Sequence, residues 1–158
     1  MEKAQRLAHR LREVILNGKL IANTNFRDAL TQVTWEQATQ QIEGLNTIAH
    51  LTFHVNYYIG GVLDVFEGGD LEIRDRYSFD LPPIKSQEDW EQLQQKLWDN
   101  TEKFAQKVEA MSDEKLASTF VKEEYGSYAQ NVEVIIEHNY YHLGQVSLLR
   151  KLIDTLKK

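Results

Sequence analysis

Only two prolines occur in 158 residues, and they are adjacent, Pro82 and Pro83. Proline breaks a helix by removing a donor and clashing with the preceding turn. A chain with a single such break can run in long helices on either side of it. The apolar residues repeat at helical spacing over most of the length, and no alternating strand pattern of useful length is present. The spacing predicts a first helix over about 2–16, closed by Asn17-Gly18, residues that tolerate left-handed geometry. A second runs over about 47–66 and stops at Gly68-Gly69. A third of about 25 residues starts behind Ser86, a good N-cap followed three positions later by Asp89. Met111-Ser112-Asp113-Glu114 interrupts the pattern. The last helix runs over about 128–156, with Lys157 and Lys158 at its negative end.

Between these helices the signals are mixed. In 19–46, Thr34 and Gln37 form a capping-box pattern for a short helix. The stretch 70–85 is polar and turn-rich and reads as an excursion. Four long helices joined by long connections predict an all-α four-helix bundle, one domain over 1–158. The connections are too long for a plain up-and-down order.

Composition narrows the chemistry. There is no cysteine, which removes disulfides, thiolate metal ligands and a cysteine nucleophile. Any metal must be held by nitrogen and oxygen. The net charge of −6 argues against nucleic acid as the main partner. No stretch approaches the roughly 18 apolar residues of a membrane span. The N-terminal segment is amphipathic and lacks the apolar run of a secretion signal. The expected location is the cytoplasm.

Four of the five histidines form two pairs spaced by four, His50/His54 and His138/His142. Side chains four apart share one helix face, so one pair can grip one ion. At about 100° per residue, His138 and His142 fall in the middle of an apolar arc that includes Ile135, Val146, Leu149 and Ile153. They should point into the bundle, with Gln145 bordering the arc. In the second helix His54 lies at the edge of the apolar arc and His50 about 40° further towards water. Tyr57, Tyr58 and Gly61 share the His54 side, and Gly61 leaves room for a close approach by another backbone or a ligand. By the same phase Glu137 faces solvent. Trp35, Trp90 and Trp98 read as packing residues. Buried imidazoles can also serve a core by hydrogen bonding to carbonyls or water, so the pattern alone leaves metal and structural roles both open.

The segment Asn46–His54, Asn-Thr-Ile-Ala-His-Leu-Thr-Phe-His, resembles the helix that brings the first metal histidine in DinB/YfiT-like proteins. His138–Val146, His-Asn-Tyr-Tyr-His-Leu-Gly-Gln-Val, is similar to that family's closing motif. It has two histidines four apart followed by Gly-Gln and an apolar residue, and Leu148-Leu149-Arg150 continues the likeness. The resemblance implies a four-helix bundle with His54, His138 and His142 as ligands of nickel, zinc or a similar divalent ion. It also implies a homodimer and, in some members, a transferase or isomerase that uses a low-molecular-weight thiol as a small-molecule substrate. No catalytic residue is assigned by it.

Three neutral histidines leave a divalent ion its full charge and at least one open position, the catalytic rather than the structural type of site. A water there is acidified and a thiol is held as thiolate. A metal-dependent thiol transferase and a metal-dependent hydrolase are both feasible. The third reading is a non-catalytic interaction or regulatory module whose histidines are structural. No phosphate-binding glycine loop, Gly-x-Ser-x-Gly elbow or His-Glu-x-x-His motif occurs.

Overall fold

The computed structural model describes residues 2–156; the lysines placed at the end of the last helix, Lys157 and Lys158, lie outside it. Four long helices dominate: α1 (Lys3–Arg12), α4 (Ile48–Phe66), α5 (Gln87–Glu109) and α7 (Tyr128–Leu156). Three short ones, α2 (Phe26–Leu30), α3 (Trp35–Thr39) and α6 (Asp113–Ala117), lie in the connections. Among the described residues there is no strand, only an isolated bridge between Thr119 and Ser127.

The ends form where local chemistry dictates. Thr47 Oγ1 caps α4 by accepting from His50 N, and Ser86 Oγ caps α5 by accepting from Asp89 N. Thr34 and Gln37 make the reciprocal capping box at α3. Gly68 takes a left-handed φ of 96° just after α4. The end of α1 differs from the expectation. The helix runs on as one π turn (Glu13–Asn17), and Gly18 is extended at φ −82° rather than left-handed. Glycine is needed there for space, because a Cβ would stand 2.5 Å from Glu13 Cβ.

The four long helices form a ring in the order α1, α5, α4, α7, so α1 and α4 occupy opposite corners. The first and last connections therefore cross the bundle diagonally, which is why they are long and carry α2, α3 and α6. The middle is filled by Trp90, Phe26, Phe104 and Phe120, all at most 1% exposed. Trp90 is tied across the first crossing by Nε1–H donating to Val33 O at 2.9 Å. Arg12 joins α1 to α5 through a two-pronged pair with Glu102 (3.0 and 2.8 Å) and a second pair with Glu109. Arg150 on α7 donates to the Ala29 carbonyl at 2.8 Å, holding the end of α2. That gives the arginine of the closing motif a structural task.

Candidate metal centre

The apolar phase of α7 turns His138 and His142 inward, as the spacing predicts, and α4 brings His54 to meet them across the α4–α7 contact. Nε2 of His138 stands 3.1 Å from Nε2 of His54 and 3.1 Å from Nε2 of His142. One ligand nitrogen from each of the three lies within 4.8 Å of the others. Around a tetrahedral ion bound at about 2.0–2.1 Å, neighbouring ligand atoms are about 3.3 Å apart. Two of the three separations match that spacing, and the set is one that can hold a divalent ion.

What holds each ring matters as much as where it points. His54 Nδ1 faces the Ser78 carbonyl at 3.2 Å, and His142 Nδ1 faces Gln145 Oε1 at 2.6 Å. A carbonyl can only accept, so each Nδ1 carries the proton and each Nε2 presents a lone pair. Gln145, which the helical phase puts at the border of the apolar arc, is the residue that makes the contact to His142.

The excursion after α4 is part of this site, which the sequence did not reveal. Phe79 stacks on His54 with ring centroids 4.0 Å apart and planes at 8°. Tyr57 Oη accepts from Arg74 N at 2.8 Å and donates to Arg74 O at 3.0 Å. Tyr58 Oη donates to Asp75 at 2.6 Å, and its ring meets His54 and His138 edge-on. Burial, and next the Asp75 acceptor, push the Tyr58 pKa up to about 12, so this hydroxyl stays a donor. Gly61 makes room for neither a backbone nor a ligand but for the side chain of Ile73, since a Cβ would come 2.2 Å from Ile73 Cγ2. The excursion is thus strapped along α4 and presents Ser78 and Phe79 to His54.

The remaining histidines stay out. His50 is half-buried, and its Nδ1 is occupied by Thr47 Oγ1 at 2.7 Å. His9 pairs with Glu13 on the exposed side of the first helix. Glu137 is exposed, as its phase requires.

A model of the DinB family matches residues 9–153. The chain belongs to the DinB family. The match spans both segments that carry the likeness, and the helical fold of this DinB-family chain agrees with it. Searches of curated proteins and of solved structures return no significant match. Among the described residues of this DinB-family chain, no helix is long and apolar enough to cross a membrane.

Burial lowers the pKa of all three imidazoles, and for His138 burial followed by His142 and His54 brings it down to about 4. The unfolded chain binds these protons near the ordinary value of about 6.5. Between those limits the unfolded state holds more protons, so the metal-free protein loses stability as pH falls from about 6.5 towards about 4. Urea unfolding of chelator-treated protein across that interval measures this. A flat profile would contradict neutral, buried rings.

Proposed function

We propose that this DinB-family chain binds one divalent ion through His54, His138 and His142 and uses it to transfer groups to or from a low-molecular-weight thiol. The observation that carries the reading is convergence. Two Nε2 lone pairs are fixed by acceptors behind their rings, and both face the third imidazole at hydrogen-bonding distance. Lone pairs aimed at one point repel each other unless a cation or a donated N–H lies between them, and a divalent ion satisfies all three rings at once. A bound divalent ion there supplies Lewis acidity and stabilises a thiolate.

The chain's own groups suit thiol chemistry better than hydrolysis. The carboxylate tied into the wall, Asp75, is engaged by the Tyr58 hydroxyl. Hydrolysis gains from a free general base to take a proton from water. A thiol that has lost its proton needs none. Ser78, Phe79 and Gln145 hold the ligand rings in place, and Phe79 and Tyr58 cover one side of them with apolar surface. Leu45, Leu51, Gln145, Leu148 and Leu149 line a cleft of about 280 Å³. Gln145 belongs to both the cleft and the support of His142, which makes the cleft the candidate place for the apolar part of a small acceptor.

The test has two stages. Metal-free protein is titrated calorimetrically with zinc and with nickel; one equivalent bound tightly is expected. The loaded protein is then incubated with a panel of small thiols and electrophiles or generic esters, with products read by mass spectrometry. Thioether products support the reading. Ester cleavage without thiol incorporation would replace it with hydrolysis, and no binding of either metal would leave the histidines structural.

A further inference from the structure

The three ligand rings differ in what stands behind them. His54 has the Ser78 carbonyl and His142 has the Gln145 amide oxygen. His138 Nδ1 is buried and has no hydrogen-bond partner among the described residues. The next residue, Asn139, is 0% exposed, and neither its Nδ2 nor its Oδ1 has a partner among them either.

Orphaned buried polar atoms are rare and costly, and each one calls for a reason. Asn139 falls on the arc of α7 that also buries Val132, Ile135 and Leu143, where a leucine would pack at least as well. Three unsatisfied atoms thus lie on two adjacent residues of one helix. Buried polar atoms of this kind are satisfied by a side-chain rotation or by one buried water.

The His138 ring has two neutral forms with opposite consequences. With the proton on Nε2, it donates to a neighbouring imidazole and the trio needs no metal. With the proton on Nδ1, all three lone pairs converge and an acceptor is required behind the ring.

We propose that Asn139 is the positioning residue of the third ligand: its Oδ1 accepts the Nδ1–H of His138, directly or through one buried water, and so commits Nε2 to the shared centre. This inference rests on the metal reading above. It explains why an amide occupies a core position that apolar packing would otherwise fill. Each ligand ring then has its own acceptor: a carbonyl of the excursion, an amide one turn on, and an amide next in sequence.

The test compares the native chain with Asn139→Leu and Asn139→Asp, using zinc as the probe. Zinc affinity comes from competition with a chelating dye, and the tautomer of each histidine from long-range proton–nitrogen NMR of labelled protein. In Asn139→Leu, zinc affinity should fall about ten- to a hundredfold, the usual effect of losing an outer partner. Its metal-free melting temperature should hold or rise, because an unpartnered buried amide is gone. A folding defect would lower both. Asn139→Asp restores an acceptor and should bind zinc at least as tightly as the native chain. His142, held by Gln145, is the internal control and keeps its tautomer throughout. Native affinity in Asn139→Leu would overturn the proposal, as would an Nε2–H tautomer for His138 in the native protein. If the native chain binds no zinc, the metal reading fails separately. The His138 tautomer in metal-free protein still decides the role of Asn139: Nδ1–H in the native chain and its loss in Asn139→Leu support it, and Nε2–H overturns it.

Discussion

Replacing any one of His54, His138 or His142 with alanine should lower zinc affinity by more than about a hundredfold, beyond the usual effect of a lost outer partner. His50→Ala should leave it close to the native value. The contrast follows from geometry. The three ligand nitrogens lie within 4.8 Å of each other, so each variant removes a whole ligand and leaves two. Two nitrogens leave two positions of a tetrahedral site to solvent where three leave one. His50 is the stringent control because it shares a helix face with His54 and lies one turn away. Its Nδ1 is tied to Thr47 Oγ1, whose hydroxyl also caps the helix. The double replacement of His138 and His142 should abolish tight binding. Competition titration against a chelating dye reads all five proteins. If His50→Ala weakens binding as much as His54→Ala, the assignment of the inward residue on α4 is wrong.

Trp90→Ala should cost about 3–5 kcal/mol of folding stability, the range for deleting a large buried aromatic. A chain of this size has about 5–15 kcal/mol in total, so the variant stands near its unfolding threshold at room temperature. The expectation is high for two reasons. Trp90 is fully buried in α5, which packs against both α1 and α4. Its indole N–H also meets the Val33 carbonyl at 2.9 Å and pins the first diagonal crossing to the bundle. Trp90→Phe separates these contributions: it keeps most of the packing but leaves the carbonyl without its donor, so it should cost less than the alanine variant. Urea unfolding followed by far-UV circular dichroism measures both. A loss under about 1 kcal/mol in Trp90→Ala would mean that the site collapses around the gap far more completely than close-packed cores do.

The helices that carry the three histidines were legible for a local reason. His138, His142 and their apolar companions lie on one arc because backbone hydrogen bonds four residues apart fix the period. Thr47, Ser86 and Thr34 are readable caps for the same reason: donor and acceptor are three residues apart. Asn139 is equally legible, as an amide at an apolar phase next to His138. The short helices α2 and α6 were not legible. Five residues are too few to show a period, and α2 depends on Arg150, more than a hundred positions away, to hold its end.

Ser78 and Phe79 were hidden in a deeper sense. Nothing in a polar, turn-rich stretch indicates that one of its carbonyls will face His54, 24 positions earlier, or that its phenyl ring will stack on that imidazole. That outcome requires the excursion to turn back along α4, held by Tyr57, Tyr58 and the space at Gly61. Composition, residue order and helical period thus settled which side chains are ligand candidates, the exclusion of cysteine ligands, and the all-α class. Packing between distant segments settled which imidazoles meet, what stands behind His54 Nδ1, and the order of helices around the bundle. The division follows the range of the forces: hydrogen bonds within a helix act over four residues, whereas burial brings together whatever surfaces fit, however far apart in the chain they lie.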